Sequence, residues 1–175
     1  MTQLIETSEL TQDKWILIDK DRDYPTENVN AGDYVILPLQ LWSENRDQQT
    51  DKIGVWLDSD DTVEALEGQC EHLPIIAINF PTFADGRGYS LARQLRDKLG
   101  FSGELRAIGD VLKDQLFYYQ RSGFSSFMIR EDRPAEQAIT GLSDFSLVYQ
   151  PASDNRVTIL PVSYTHLTLP TTYTV

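Results

Sequence analysis

The stretch that decides the fold class is residues 75–108, IIAINFPTFADGRGYSLARQLRDKLGFSGELRAI. It begins with an apolar run of β-type residues at 75–80 and ends with a second short run at 105–108. Between these runs, three leucines recur every four residues and end at Leu99, which is the spacing of one helix face. Strand, helix and strand in this order predict a parallel pair, because parallel neighbours need a crossover connection.

The same alternation continues on both sides of this stretch. We predict about four consecutive βα units, with strands at 53–57, 75–80, 105–108 and 124–129 and a closing strand at 146–149. The helix after the first of these strands is indicated by Val63, Leu66, Cys70 and Leu73, which recur at helical spacing. Upstream, short β-type runs predict two further strands at 15–18 and 34–37, and Pro38 predicts the start of a short helix.

These patterns predict an α/β fold with a mainly parallel sheet in a single domain. Residues 1–52 form a small N-terminal β-rich extension, and residues 53–156 form the βα-repeat core of the same domain. We expect an open, flavodoxin-like sheet, because four or five units fall short of the eight that close a βα barrel. A curved sheet, as in a partial barrel, is the alternative.

Composition and charge exclude several functional classes. The 175 residues carry 27 acidic and 15 basic side chains, a formal net charge of −12. A surface this acidic repels phosphate backbones and anionic lipids, so we expect neither nucleic acid nor membrane as a partner. The single cysteine, Cys70, excludes an internal disulfide and a multi-cysteine zinc or iron–sulfur site. Without a signal-like or membrane-spanning segment, a cytoplasmic protein is expected.

The last residues differ from the rest of the chain. Residues 157–175 contain no Asp, Glu, Lys or Arg and are rich in threonine. The final run, SYTHLTLPTTYTV at 163–175, is similar to translated vector sequence, so we interpret this tail as a non-native read-through. An added β-hairpin at a sheet edge is the alternative.

Ligands of open parallel sheets bind at the carboxyl ends of the strands, so the loops there are candidate sites. The run DGRGYS at 85–90 places two glycines and an arginine where a helix begins, a combination that suits a small oxyanion or phosphate. The candidate anion-binding residues are Asp85, Gly86, Arg87, Gly88, Tyr89, Ser90 and, one turn further on, Arg93. Alternatively, the glycines serve a tight turn and Arg87 pairs with a loop acid.

The next loop supplies three candidate catalytic residues, Asp110, Asp114 and Gln115, which could share a cleft with Arg87. Asp110 could instead cap the following helix. In that helix Tyr118 and Tyr119 are expected mainly to pack, although one of them could face a ligand. The acids at 58–61 could hold a hard cation, but such runs are more often solvated helix starts, so we predict no metal site.

Residues 75–130 also resemble a bacterial family of unknown function whose members are described as probable oxidoreductases involved in sulfite reduction. The resemblance is carried by DGRGYS at 85–90, GELRA at 103–107, GDVL at 109–112, DQ at 114–115 and DFS at 144–146. It extends over roughly residues 30–150 and stops before the tail. The chain departs from the family pattern at Asn79 and Thr82, where many members carry aspartate and lysine.

This resemblance implies a role in sulfur assimilation beside the haemoprotein subunit of a sulfite or nitrite reductase. The expected function is an accessory or electron-transfer protein that acts with that haemoprotein. Two alternatives stay open, namely an enzyme that binds a small oxyanion or phosphate-bearing ligand at the Gly86-Arg87-Gly88 helix start, and a non-catalytic interaction module. No redox CxxC or dinucleotide fingerprint is present, so the residues identify no cofactor and leave enzymatic activity open.

Overall fold

The computed structural model describes residues 3–21, 32–45, 50–145, 148–149 and 152–153. Its strands are β1 (Gln3–Glu6), β2 (Glu9–Gln12), β3 (Trp15–Leu17), β4 (Tyr34–Pro38), β5 (Ile53–Leu57), β6 (Ile75–Phe80), β7 (Glu104–Gly109) and β8 (Ser126–Ile129). Its α-helices are α1 (Leu39–Glu44), α2 (Arg87–Arg93), α3 (Leu116–Arg121) and α4 (Ala135–Ala138). Short 3₁₀ turns lie at Val63–Leu66, Cys70–His72, Lys113–Gln115 and Ile139–Ser143, and α2 continues as a π turn over Gln94–Lys98.

All eight strands belong to one mixed sheet, in the order β2-β1-β8-β7-β6-β5-β4-β3. The six strands from β3 to β8 are parallel and follow chain order, so every connection joins direct neighbours. The N-terminal hairpin of β1 and β2 pairs antiparallel with β8 at one edge. Strands of the N-terminal extension and of the repeat core therefore share one sheet.

The sheet is curled like a half-barrel, and chain geometry explains why. The two edge strands, β2 and β3, are joined by only Asp13 and Lys14. Three Cα steps can span about 11 Å at most, whereas the outer strands of a flat eight-stranded sheet would lie about 34 Å apart. The sheet must therefore bend until its two edges approach each other at this connection.

The two faces of the sheet bury different side chains. One face packs against the helices and forms the larger apolar core, which includes Phe80 and Phe127 from the strands and Leu95 and Leu116 from the connections. In the described part of the chain, the other face carries no helix and buries Trp15, Ile36, Trp56, Ile75, Ala77 and Ile108. Across this helix-free face Arg106 on β7 reaches Asp13 in the edge connection, with both Asp13 oxygens within 2.9 Å of its Nη1. The helix-free face is therefore the concave one.

The sequence predicts the strands of the repeat well. The strands at 53–57 and 75–80 have the bounds predicted for them, and the mainly parallel α/β class is confirmed. The preference for an open, flavodoxin-like sheet is wrong, because the parallel strands follow chain order and the sheet curls as in the partial-barrel alternative. The sheet also has more strands than predicted, and it includes an antiparallel hairpin that the sequence does not predict.

The connections differ more from the predictions. The helix expected over Val63 to Leu73 is two 3₁₀ turns, separated near Gly68, whose φ is +73°. Of the strand expected at 146–149, the described residues are Val148, which forms a single bridge, and Tyr149. The tail at 157–175 lies outside the described residues. Within the described ranges, the helices are all too short or too polar to cross a membrane.

Candidate functional site

The loop after β6 places Arg87 at the start of α2, where it is held by two neighbours. Its Nη2 donates to Asp85 Oδ2 at 2.7 Å and to Ser59 Oγ at 2.8 Å, and its Nε donates to Asp85 Oδ1 at 3.0 Å. Asp85 also accepts the backbone amide of Arg87, and these bonds lower the pKa of its carboxyl. The pairing of Arg87 with a loop acid, one of the two alternatives from the sequence, is present.

The glycines of this loop have different surroundings. A Cβ on Gly88 would lie 2.5 Å from Phe80 Cζ, so Gly88 allows α2 to pack closely on β6. Around Gly86, in contrast, an added Cβ would meet nothing within 4 Å. Ser90 is exposed on the same helix. Gly88 therefore has a packing role in this structure that is independent of any ligand.

Asp110 follows β7 and connects two neighbouring loops. Its Oδ2 accepts the backbone amide of Phe83 at 2.8 Å, and its Oδ1 accepts Arg130 Nη1 at 2.7 Å. Arg130 in turn makes a two-bond contact with Asp132, and this contact lowers the pKa of Asp132 to about 2. The following 3₁₀ turn begins after Leu112, so Asp110 positions the loop after β6 and does not cap that turn.

The acidic run after β5 is also tied into the sheet edge. Asp58 accepts Lys20 Nζ at 2.6 Å and the side-chain amide of Asn79 at 3.1 Å. Burial raises the pKa of Asp58, but the bonds from Lys20, from the Ser59 amide and from Asn79 outweigh it, so the pKa is lowered. Among the described residues, no group of three or more Asp, Glu, His or Cys side chains is arranged to hold a metal ion.

Beside these loops lies an open groove of about 720 Å³, which we call the aromatic groove. Four of its lining side chains are aromatic, namely Phe83, Tyr89, Tyr118 and Tyr149. Five others are charged or polar, namely Arg93, Asp114, Gln115, Arg121 and Ser122. The volume falls within the range of roughly 300 to 1,000 Å³ that is typical of small-molecule sites.

The candidate residues from the sequence therefore divide into two groups. Tyr89, Arg93, Asp114 and Gln115 come together as lining residues of the aromatic groove. The others, Asp85, Gly86, Arg87, Gly88, Ser90 and Asp110, lie outside its lining, along the loops at the strand ends and on the first turn of α2. The sequence predicts a cleft that combines Arg87 with Asp114 and Gln115. In the structure, Arg93 and not Arg87 lines the groove together with these two residues.

A chain of hydrogen bonds and ring contacts holds the groove wall. The buried Tyr119 hydroxyl donates to Gln115 Oε1 at 3.0 Å, and Gln115 Nε2 donates to the Phe83 carbonyl at 3.1 Å. The Tyr89 ring stacks on Tyr119 with centroids 4.9 Å apart and planes 13° from parallel. Gln115 is therefore a positioning residue that ties the loop after β6 to α3.

The stacked tyrosines predict a loss of stability in alkali. Burial raises the pKa of Tyr89 to about 12, and burial also raises the pKa of Tyr119. In the unfolded chain both phenols ionise near pH 10, so above that pH the folded state binds more protons than the unfolded state. Stability is therefore fully present below about pH 10 and is lost as the pH rises towards 12. Urea unfolding across this pH interval measures the loss.

Tyr89→Phe should make the loss of stability between pH 10 and 12 less steep. The variant removes one of the two phenols whose pKa is raised in the folded state, and it keeps the stacked ring. The matched control is Tyr118→Phe, at the exposed neighbour on α3, which should leave the loss as in the wild type. An equally steep loss in wild type and Tyr89→Phe would contradict the prediction.

Sequence reasoning missed several residues of this region. Phe83, Arg121 and Tyr149 line the groove, and Phe145 lies beside it, 4.8 Å from the Phe117 ring centroid. The run Phe117-Tyr118-Tyr119 indicates part of the groove, because the sequence analysis allows one of its two tyrosines to face a ligand. Tyr119 is buried and Tyr118 is the exposed groove residue, a distinction set by the rotation of α3 on the sheet.

Comparison with known proteins adds one finding. A protein-family model described as bacterial protein of unknown function (DUF934) matches residues 54–160. No curated protein matches the chain. The matched range begins at the second residue of β5, and it contains β6 to β8 and all the described lining residues of the aromatic groove.

Proposed function

Because the chain belongs to this DUF934 family of bacterial proteins of unknown function, we propose that it is an accessory or electron-transfer protein of assimilatory sulfite reduction. It acts with the sulfite reductase haemoprotein. The resemblance carried by the motifs between residues 75 and 146 motivates the pathway. The observation that carries the mode of action is a patch of exposed aromatic side chains.

This aromatic patch consists of Phe83, Tyr118, Phe145 and Tyr149, whose side chains are between 49% and 67% exposed. Tyr118 and Phe145 are neighbours, with ring centroids 6.4 Å apart. Clusters of exposed apolar side chains are typical of interaction sites, and aromatic side chains contribute much of the binding energy at protein interfaces. The net charge of −12 favours a partner with a basic docking surface.

The enzyme alternative, with a small oxyanion at the Gly86-Arg87-Gly88 helix start, has weaker support. Arg87 would have to exchange three hydrogen bonds, to Asp85 and Ser59, for bonds to the anion. The interaction-module alternative shares the aromatic patch with our proposal. It differs in carrying no role in electron delivery.

We expect the purified chain to bind the haemoprotein of its own sulfite reductase, and the variant Phe145→Ala/Tyr149→Ala to bind it at least about tenfold more weakly. The reason is that truncating interface aromatics commonly costs more than about 1.4 kcal/mol, which is tenfold in affinity. Biolayer interferometry or copurification at low salt measures the effect. Deletion of the gene should also slow growth on sulfate and leave growth on cysteine unchanged.

The matched control is Ile16→Ala, which removes a 38% exposed apolar side chain from β3, five strands along the sheet from β8. It should bind like the wild type, and all variants should melt within a few degrees of it. The proposal fails if the wild-type chain does not bind the haemoprotein and the deletion strain grows normally on sulfate. If Phe145→Ala/Tyr149→Ala binds the haemoprotein as tightly as the wild type does, the aromatic patch is not the docking surface.

A further inference from the structure

We infer that the aromatic groove is a binding site for a mononucleotide, meaning a planar heteroaromatic ring joined to a phosphate, as in flavin mononucleotide (FMN). This inference goes beyond the proposed function, because it concerns a small ligand and does not depend on which protein is the partner. It rests on three features of the described residues that line the groove, namely the aromatic walls, the two guanidinium groups and the single carboxylate.

The walls of the groove suit a planar ring. Tyr118 and Phe83 expose half or more of their surface on its rim, and Tyr89 lines it with its ring already fixed against Tyr119. Aromatic rings prefer offset-stacked or edge-to-face contacts, so a flat heterocycle gains most from such walls. Since Gln115 fastens the Phe83 loop to α3, little ordering is required when the ligand binds.

The two arginines suit the phosphate. Arg93 on α2 and Arg121 on α3 lie on different helices and line the same groove. Arg93 is paired with Asp97 at 2.9 Å, but both side chains are about half exposed. Exposed ion pairs contribute little to stability, so Arg93 can exchange Asp97 for a ligand phosphate at small cost. The Arg121 guanidinium lies 6.0 Å from the Phe117 ring centroid. A guanidinium group can donate two parallel hydrogen bonds to the oxygens of one phosphate.

Asp114 explains why the ligand should be more than an anion. Its carboxylate lines the groove together with the two arginines, where it would repel a simple phosphate. A heterocycle with ring N–H or amino groups offers donors to this carboxylate while its phosphate contacts the arginines. The combination therefore favours a nucleotide over inorganic phosphate or an uncharged aromatic compound.

The test is a titration of FMN into the full chain, followed by quenching of flavin fluorescence. We expect saturable binding with a dissociation constant below about 1 mM. Arg93→Met should weaken it at least about tenfold, since a hydrogen bond between charged groups is lost. Riboflavin, which lacks the phosphate, should bind as weakly to the wild type as FMN binds to Arg93→Met, and Arg93→Met should not weaken riboflavin further. AMP competing with FMN would support the mononucleotide class.

Arg133→Met is the matched control, because it removes an exposed arginine outside the groove lining, and FMN should bind it as it binds the wild type. Arg121→Met is the second variant, and thermal melting shows whether it is folded. The inference is overturned if neither FMN nor AMP binds saturably, if riboflavin binds as tightly as FMN, or if Arg93→Met binds FMN as the wild type does. FMN binding without haemoprotein binding would refute only the proposed function.

Discussion

Arg106→Met is expected to lower the free energy of unfolding by about 3 to 5 kcal/mol, the usual cost of removing one partner from a buried ion pair. Arg106 is 2% exposed on the concave face, where it bonds to both oxygens of Asp13 and to Glu104 at 2.8 Å. Glu104 also accepts the Ser126 hydroxyl at 2.6 Å. Without the guanidinium, two carboxylates remain near each other in a poorly solvated space.

Urea unfolding followed by tryptophan fluorescence measures this loss. Arg133→Met serves as the control, because its side chain is 63% exposed and its contact with Asp132 is 3.7 Å long. That control should change stability by less than about 1 kcal/mol. A triple variant, Asp13→Leu/Glu104→Leu/Arg106→Met, should recover much of the loss, because apolar replacement of a buried charge network is often neutral. If Arg106→Met is no less stable than the control, the ion pairs of Arg106 with Asp13 and Glu104 do not stabilise the fold.

Gly109→Ala should destabilise the fold by about 2 to 5 kcal/mol, from a left-handed backbone penalty of about 1 to 2 kcal/mol and an overpacking cost of about 1 to 3 kcal/mol. Gly109 ends β7 with φ of +93°, and an added Cβ would lie 2.4 Å from the Phe80 carbonyl oxygen. That oxygen also accepts the Asp110 amide at 2.8 Å. The backbone therefore cannot move aside without displacing Asp110, which positions the loop after β6.

Gly100→Ala separates the two contributions. Gly100 also has positive φ, at +66°, but an added Cβ there would meet nothing within 4 Å. It should show only the backbone penalty of about 1 to 2 kcal/mol. Chemical denaturation of both variants gives the comparison, and a loss at Gly109 that only equals the loss at Gly100 would refute the steric argument.

The strands were predictable from sequence because their apolar runs are dense and β-branched, as in Ile75 to Phe80, and no other local structure suits them. The connection from Val63 to Leu73 shows where this reasoning ends. Its spacing correctly identified buried side chains, since Val63, Leu66, Cys70 and Leu73 are all at most 6% exposed. Two 3₁₀ turns on either side of Gly68 bury the same residues as one helix, so periodicity could not distinguish the two.

The N-terminal hairpin was not predictable in this way. All four residues of β2 are exposed, so the strand has no alternating pattern, and its partner β1 is held by β8 at the far end of the described chain. The site was predictable only where local sequence marks its residues. Tyr89, Arg93, Asp114 and Gln115 were recognisable as polar residues beside helix starts, whereas Phe83 and Tyr149 join them through tertiary packing alone.

The pairing of β1 with β8 has a consequence for the order of folding during synthesis. Gln3 is synthesised 126 residues before its partner Ile129. At about 5 to 20 residues per second this is a wait of roughly 6 to 25 s. Until then the hairpin has no edge to join, and the two-residue link holds it beside β3. We expect the nascent chain to remain sensitive to proteases until β8 emerges, and then to close the sheet in one late step.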